Sequence, residues 1–446
     1  MTRQIRHILS KLKNSSQLSA TTINTIPPQT IPAPRSSRRR PAMKDDKSQL
    51  NAPLEQLPAE IRRQLLSTLE FEELNTLVHA SPVFYQQYLL DRRYLLCKCL
   101  ENTLCDATID AYAAYQSSFE DFAKTRTREG VSRFLKVYQD QRSSIFTESL
   151  TEDTAVSMVT FFSSTIKPLV GHYTRWALAN LANETGNSHN HEPLSKTEEI
   201  RLMRALYRFQ LCCNLFGRGY NGTPWLLDAP FRSLDILNIF FCIFEPWEIE
   251  EIAFIHTFVK EKYDQIFRDI RWDVHKENPK FKGTPEGAFD LDDGYGRDNL
   301  LKGTVSRGLG LLHTVLFKIR DHAHLVSTMQ EHILWLADHF LEAALNGPAQ
   351  LHRRIIQPSD RDQKQTRRDP LPFQGDCGLR PPLAWTLIWR ETYSNLYGAL
   401  LPEDILRWGY VMWDAARLEN TGAKEVLARQ WEAVWEGTDP RDIYRF

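Results

Sequence analysis

The chain has 446 residues, of which 42% are hydrophobic and 25% are charged, a composition typical of a soluble globular protein with two or three domains. Nine of its 55 basic residues lie within residues 1–44, where there is no acid, so that 46 basic and 56 acidic residues remain for the rest. A body this acidic is a poor candidate for binding nucleic acid, since phosphate contacts require clustered cations. We expect no membrane association either, because the longest apolar run, residues 236–244, is about half of the roughly 20 residues that a membrane helix needs. A buried helix is predicted there.

The first 50 residues are basic and rich in serine and proline, and we predict a disordered tail because such residues bury too little apolar surface to fold. Two alternatives stay open. Apolar residues at positions 5, 8, 9 and 12 are also typical of a mitochondrial transit peptide, and PRSSRRRPAMK (34–44) is typical of a nuclear-import signal. Charges interrupt the early apolar residues, so no secretory signal is expected. The protein is therefore predicted to be intracellular, cytoplasmic or nuclear, with mitochondrial targeting as the alternative.

Residues 51–100 predict a unit of three short helices. Pro58 suits the first turn of a helix, where its missing N–H is harmless, and Ser81-Pro82 has the pattern of an N-cap followed by a first-position proline. The apolar positions are Ile61, Leu65, Leu66 and Leu69 for the first helix, Leu74, Leu77 and Val78 for the second, and Phe84, Tyr88 and Leu95 for the third. Three helices in about 40 residues have too little core to be stable alone. The unit is expected to need a partner, either another chain or the rest of this one.

Residues 101–446 predict a large helical body, so that the fold class is all-α. Apolar residues recur every three or four positions between Trp247 and Ile270, and Ser195-Lys-Thr-Glu198 has the pattern of a capping box. Further helical stripes are Ile200, Met203, Tyr207, Leu211 and Leu215; Leu325, Met329, Ile333, Leu336 and Phe340; and Val426, Leu427, Trp431, Val434 and Trp435. Loops are predicted near 183–193, 278–303 and 357–382, from their polar, glycine or proline content.

Several motifs in the sequence resemble nucleotide-binding or metal-binding sites, but none of them predicts a cofactor. Gly217-Arg-Gly219-Tyr-Asn-Gly222 matches G-x-G-x-x-G but follows a predicted helix, whereas a dinucleotide site needs a preceding strand. The acidic segment DLDDGYGRDN, with Asp290, Asp292, Asp293 and Asp298, lacks the EF-hand spacing and is interpreted as a solvated turn. The seven cysteines form no C-x-x-C pair, so neither a zinc site nor a disulfide framework is expected.

Histidine and serine patterns likewise do not predict an enzyme. His313, His322, His324, His332 and His339 cluster in sequence, but no H-E-x-x-H motif is present. The segment around Ser306 has its first glycine one residue too early for a nucleophile elbow and no preceding strand. An enzyme with its pocket among the Trp, His and Asp residues of 280–340 stays the least favoured hypothesis.

The segment after the tail resembles a known family. The pattern L-P-x-E-I from Leu57, the pair Leu65-Leu66, Leu69, the step Leu74-x-x-Leu77 and Ser81 resemble an F-box, the three-helix motif that docks onto the adaptor of cullin–RING ubiquitin ligases. The stretch LVHASPVFYQQYLLDRRYLL (77–96) resembles the divergent F-box-like domains of uncharacterised proteins of filamentous fungi, and WGYVMWDAARL (408–418) resembles their C-terminal regions. After Ser81 the chain departs from the C-k-x-W ending of the usual F-box.

This resemblance implies a partner-binding site and a role. Leu57, Pro58, Ile61, Leu65, Leu66 and Leu69 would supply adaptor-facing and internal apolar surfaces, and Leu74, Leu77 and Ser81 would organise the second and third helices. The chain would be a substrate-recruiting subunit of the ligase, with an unknown protein target and no active site of its own. Alternatively, the unit packs permanently on its own body in a scaffold protein. The fragment Leu401–Leu406 (LPEDIL) begins with the same letters but lacks the L-x-x-L step, so it predicts an ordinary helix start.

Overall fold

The computed structural model describes residues 53–119, 122, 126–142, 150–186, 192–217, 231–282, 287–336 and 341–444. These residues form helices and connecting turns without a β-strand, apart from one isolated bridge between Pro370 and Thr392, which confirms the all-α prediction. Ala52–Phe446 form one compact unit. Within the described ranges no helix has the length and apolarity to cross a membrane. The predicted tail, 1–50, lies outside the described residues.

Four helices follow a 3₁₀ turn at Pro53–Gln56. They are α1 (Ala59–Ser67), α2 (Phe71–Ala80), α3 (Pro82–Leu90) and α4 (Arg92–Leu104). The third helix was expected to continue past Leu95, but it ends at Leu90. Asp91 leaves helical geometry (φ −112°, ψ 22°) and starts α4, as expected of a short acidic side chain that favours helix ends. The predicted boundary between the N-terminal unit and the body, at residue 100, therefore falls inside α4.

The first half of the body is built on two long helices, Lys196–Phe216 and Pro246–Val274, which pack against each other. Before them, a π-helical turn at Phe162–Ile166 joins two further helices. The elements are α5 (Thr108–Gln116), α6 (Arg128–Gln141), α7 (Glu152–Phe161), α8 (Lys167–Thr185), α9 (Lys196–Phe216), α10 (Ser233–Ile239) and α11 (Pro246–Val274).

Two helix predictions for these elements are confirmed and a third is corrected. The capping box is present, since Ser195 Oγ accepts from the Glu198 N–H at 3.1 Å and Glu198 Oε2 accepts from the Ser195 N–H at 3.0 Å. The stripe of 247–270 lies within α11. The apolar run 236–244 is buried but not one helix: α10 ends at Ile239, and a 3₁₀ turn packs the Phe240 and Phe244 rings edge to face at 5.1 Å.

The second half of the body consists of shorter helices. A π-helical turn, Thr314–Lys318, follows the second of them. They are α12 (Gly294–Val305), α13 (Leu309–His313), α14 (His322–His332), α15 (Gly347–Ile356), α16 (Asp360–Arg367), α17 (Leu383–Ile388), α18 (Glu403–Arg407), α19 (Ala415–Thr421), α20 (Ala423–Trp435) and α21 (Pro440–Ile443).

Two of the predicted loops contain helices. The loop near 278–303 ends at Asp293, whose carboxylate accepts from the Gly296 N–H at 2.9 Å and so caps α12. The loop near 357–382 contains α16, because Ser359 and Asp362 form a capping box. Arg353 holds the same Asp362 carboxylate through two hydrogen bonds of 2.7 Å. The charges of this segment therefore stabilise structure rather than marking a disordered insertion.

One predicted helix is shorter than its apolar stripe. The stripe from Leu325 to Phe340 predicts a helix across its length, but α14 ends at His332. The His332 carbonyl accepts from Arg307 Nε at 3.3 Å, and the Leu336 N–H donates to the Asn299 carbonyl at 3.2 Å. These tertiary hydrogen bonds replace the next helical turn. Phe340 lies outside the described residues.

The core between α9 and α11 contains ion pairs. Arg204 and Arg208 lie one turn apart on α9 and are 1% and 2% exposed. Arg208 donates to Asp110 of α5 at 3.1 Å and to Glu248 of α11 at 2.9 Å, while Arg204 Nε donates to Glu251 at 2.9 Å. Burial raises the pKa of Glu248, but the neighbouring arginines outweigh it and hold that pKa well below its usual range. The pairs therefore join three helices through charge.

The same network continues to the C-terminal part of the chain. Arg201, on α9 one turn before Arg204, donates to the Asp414 carboxylate at 2.7 Å. Arg417 donates to both carboxylate oxygens of Glu198, each at 2.7 Å. The first turn of α9 is thus fixed to the residues around the start of α19.

Replacing Arg208 with methionine should destabilise the protein by about 3–5 kcal/mol, because Asp110 and Glu248 would lose a buried cation. Urea unfolding of the full chain measures this free energy. The matched control is Arg268→Met, which removes an exposed partner of Asp264 and should cost less than about 0.5 kcal/mol. Equal effects of the two substitutions would contradict the prediction.

A third buried carboxyl group in α11, that of Glu250, has no cation paired with it among the described residues. Glu250 is fully buried, its Oε1 accepts from the Gly398 N–H at 2.6 Å, and its Oε2 has no hydrogen-bond partner among the described residues. Burial raises the pKa of Glu250 to about 8, against an ordinary 4.5. The group is therefore protonated in the folded protein at neutral pH.

We expect the free energy of unfolding to fall with rising pH through this group. Between pH 4.5 and 8 the unfolded chain releases the Glu250 proton while the folded chain keeps it, which favours unfolding by about 1.4 kcal/mol per pH unit. Glu250→Gln removes that slope, so the stability difference between variant and wild type should change in favour of the variant from pH 6.5 to 8. Urea titrations across this range measure it, and parallel pH profiles would refute the raised pKa.

Candidate protein-interaction site

The first three helices form a small cluster against α4. Leu66 of α1, Leu74 of α2 and Phe84 of α3 are buried, and each of the three helices packs against α4. Ser81 caps α3 as predicted, since its Oγ accepts from the Phe84 N–H at 3.4 Å, and the same hydroxyl donates to Glu55. The internal side of this cluster is therefore closed by the chain itself.

Helix α4 also connects this cluster to the body. It packs against α7, and Asn102 Nδ2 donates to the Ser67 and Leu69 carbonyls at 2.9 and 3.1 Å. The Phe71 N–H donates to Thr103 Oγ1 at 2.9 Å. Surface ion pairs add to these contacts, among them Arg92 with Glu152 at 2.7 Å. One helix thus holds α1 and α2 on one side and the body on the other.

The nine residues expected to bind a partner divide into three groups by exposure. Pro58 and Ile61 are exposed; Leu57, Leu65, Leu69 and Leu77 are half-buried; Leu66, Leu74 and Ser81 are buried. The buried three hold the cluster together and cannot reach a partner in this conformation. Only the exposed and half-buried residues are accessible for binding.

Accessible apolar residues form a strip along the start of α1. Ile61 and Leu65 lie in α1 at a spacing of four, Leu57 and Pro58 directly precede the helix, and Leu54 lies in the 3₁₀ turn. We call these five residues the α1 surface. Ile61 is 50% exposed and Leu54 is 49% exposed. Leu54 was not predicted, although its position three residues before Leu57 is the signal that could have identified it.

A single arginine orders the turn in front of α1. Arg62 Nη1 donates to the Leu57 carbonyl at 2.6 Å and to the Glu55 carbonyl at 3.2 Å. These bonds hold the 3₁₀ turn against the helix, so that Leu54 and Leu57 are positioned beside α1. A pre-ordered surface loses less conformational entropy when a partner binds.

A second apolar strip on α3 was also not predicted. Tyr85 and Leu89 are exposed at a spacing of four, and Leu90 is 82% exposed. The predicted apolar positions of this helix, Phe84 and Tyr88, lie on its opposite side and are buried. The amphipathic pattern is weak because both sides of α3 are apolar, so periodicity alone could not distinguish the inner side from the outer.

The described parts of the glycine motif and of the serine segment lie at helix ends. Gly217 follows helix α9 rather than a strand, and Gly219 and Gly222 lie outside the described residues. Ser306 is fully buried and donates to the Gly303 carbonyl at 2.7 Å, at the end of α12. Both segments therefore act as helix ends in the described structure.

The acidic segment does bring three potential ligands together. His275, Asp290 and Asp292 each place one ligand atom within 4.8 Å of the others. Lys276 donates to Asp290 at 2.8 Å, and chiefly this bond lowers the pKa of Asp290 to about 2, while Arg271 pairs with Asp292. These cations already balance the carboxylates.

The histidine in this group is oriented against metal binding. His275 Nδ1 accepts from the Glu277 N–H at 3.2 Å, so the neutral ring carries its proton on Nε2, the atom facing the two carboxylates. A metal ion would need that nitrogen's lone pair. The geometry fits a hydrogen-bonded turn at the end of α11.

The other histidines contact separate neighbours. His322 pairs with Asp273 at 2.9 Å, and His339 lies outside the described residues. His256, within the α11 stripe, is buried, and this burial lowers its pKa to about 4, so that it is neutral at pH 7. The histidine cluster seen in sequence thus does not converge on one point among the residues described.

Comparison with known proteins adds no relative. No protein-family model, no curated protein and no solved structure matches the chain.

Asn102→Ala should loosen α1 and α2 from α4, because the Ser67 and Leu69 carbonyls would lose their common donor. We expect a loss of about 1–3 kcal/mol in the free energy of unfolding and faster hydrogen exchange in α1 and α2 than in α9. Hydrogen exchange by mass spectrometry measures the difference. Uniform acceleration across both regions would show that the side chain supports the whole fold instead.

Proposed function

We propose that this chain is a protein-interaction subunit, and specifically a substrate-recruiting subunit of a cullin–RING ubiquitin ligase. The observation that carries the proposal is the α1 surface, an apolar strip exposed at the position where the F-box-like pattern predicts adaptor binding. Exposed apolar strips on stable proteins mark interaction sites more often than isolated apolar residues do. The adaptor subunit is the expected partner of this strip.

The attachment of the strip supports a docking role. The α1 surface lies on a short helix whose inner side is held by α4, and α4 is in turn packed on α7. A partner bound at α1 would therefore be held in a defined position relative to the body. Ubiquitin transfer by recruitment depends on proximity, which requires such a fixed geometry rather than catalytic groups on this chain.

The scaffold alternative predicts a different exposure pattern. Exposure of Leu57, Pro58 and Leu65 together would count against permanent packing of the N-terminal helices on their own body. Pro58 is exposed and the other two are half-buried, whereas Leu66 and Leu74 carry the internal packing. The support for an external partner therefore comes from the exposed Pro58 and Ile61.

Replacing Ile61 with aspartate should abolish co-purification of the adaptor with the full chain, because a charge would be placed in an apolar interface. The side chain is 50% exposed, so stability should change by less than about 1 kcal/mol. Leu57→Ala combined with Pro58→Ala should weaken the same co-purification. Affinity purification with quantification of the adaptor measures both.

The matched control is Val137→Asp on α6. Val137 is 49% exposed, so the substitution adds the same charge at an equally exposed apolar position outside the N-terminal cluster. It should leave adaptor binding unchanged. Retained binding by Ile61→Asp, with an unchanged unfolding midpoint, would rule out adaptor docking through α1.

A further inference from the structure

Basic and aromatic side chains from three elements of the body lie near one another, around the buried Phe258 ring. The His172 ring of α8 lies 5.7 Å from the Phe317 ring in the second π-helical turn and 5.8 Å from the Phe258 ring of α11. Lys262 of α11 places its Nζ 5.8 Å from the centre of the Phe258 ring. Arg175 and Lys318 extend the same two elements, α8 and the π-helical turn. We call His172, Arg175, Lys262, Phe317 and Lys318 the basic–aromatic surface.

The cations of this surface form no ion pair with a carboxylate among the described residues, although Glu261 acts electrostatically on the adjacent Lys262. Arg175, Lys262 and Lys318 have no carboxylate oxygen within 4.0 Å among the described residues. Arg175 Nε donates to the Gly171 carbonyl, and Lys262 donates to Gln265 at 3.4 Å. The adjacent acid, Glu261, accepts from Trp176 Nε1 at 2.8 Å. Unlike the arginines of α9, these bases remain available to an anion.

The backbone around this surface is unusual and open. The π-helical turn Phe162–Ile166 leads into α8 and packs against α13, which leads into the second π-helical turn. Such turns are rare and occur frequently at functional sites. A Cβ atom added at Gly171 or at Gly310 would meet nothing within 4 Å. There is therefore free space over α8 beside His172, and also over α13.

We propose that the basic–aromatic surface binds an extended acidic segment of a partner protein. Its cations belong to three elements rather than converging on one point, so a chain bearing several carboxylates matches them better than a single anion does. The half-buried rings of His172 and Phe317 can pack against the apolar side chains of such a segment. Nucleic acid is disfavoured, because residues 45–446 carry 46 basic and 56 acidic side chains.

The biological role of the acidic partner segment depends on the proposed function of the chain. The binding of that segment to the basic–aromatic surface does not. If the chain recruits targets to a ubiquitin ligase, the acidic segment belongs to the target, and the basic–aromatic surface is the target-binding side of the body. Binding to the purified full chain can be measured without the adaptor. Failure of one proposal is thereby distinguishable from failure of the other.

The test is fluorescence anisotropy of a labelled hexaglutamate peptide with the full chain. We expect saturable binding that weakens with added salt and that falls at least about tenfold when Lys262→Glu is combined with Lys318→Glu. Lys136→Glu, an exposed lysine on α6, is the charge-matched control and should leave binding unchanged. Circular dichroism and the unfolding midpoint verify that each variant is folded.

A second pair of variants tests the surface without changing charge. Gly171→Trp fills the open space over α8 and should weaken peptide binding, while Gly171→Ala should not. Three results would overturn the proposal: no binding by the wild type, equal binding by the double lysine variant, or binding of a phosphoserine peptide only. Adaptor co-purification should be the same for all these variants, so its loss in Ile61→Asp alone tests the proposed function.

Discussion

The arginines of α9 impose the strictest requirement on this fold. A guanidinium group buried without a partner costs several kcal/mol, so Arg201, Arg204 and Arg208 can be internal only if carboxylates meet them with good geometry. The partners come from α5, from α11 and from the residue before α19, which are distant in sequence. Apolar packing alone tolerates small shifts between helices, but hydrogen-bonded ion pairs do not. The network therefore selects one arrangement of these helices, and the apolar residues around it supply most of the stability.

That arrangement determines which surfaces can act outward. The body fixes α7, α7 fixes α4, and α4 carries the inner sides of α1 and α2. The helices that support the α1 surface pack on one another within this chain, so they do not need the partner in order to fold. On the body, α8 and α11 are placed so that His172 contacts both Phe258 and the π-helical turn. Both proposed binding surfaces are therefore pre-organised, which lowers the entropic cost of association.

Local signals in the sequence predicted the fold class and many helix starts, whereas long-range contacts determined the rest. The spacing of the apolar residues in 247–270 predicted α11, and Ser195 with Glu198 predicted the start of α9. Both patterns depend on contacts within a few residues of the chain. The end of α14 at His332 could not be predicted, since it depends on Arg307 and Asn299. The α9 arginines look like an ordinary polar helix side in sequence, as Arg208 pairs with Asp110 from 98 residues away. At the candidate site, periodicity identified Ile61, Leu65 and Leu69 but could not show that Leu66 and Leu74 face inward.

Two features depart from the usual distribution of residues: charged side chains are buried in α9, and apolar side chains are exposed on the α1 surface. The two features have different consequences. Each buried arginine of α9 is paired with an internal carboxylate, so its charge is balanced within the described chain, although Arg201 Nε and Nη2 make no hydrogen bond there. Ile61 of the α1 surface stays half exposed, and Arg175, Lys262 and Lys318 form no ion pair with a carboxylate among the described residues. Water solvates lysine and arginine well, so the bases alone would be unremarkable, but water does not favour a strip containing Leu54, Pro58 and Ile61. The α1 surface is for that reason the stronger indication of a partner. The case for the basic–aromatic surface depends on the aromatic rings and π-helical turns beside its cations.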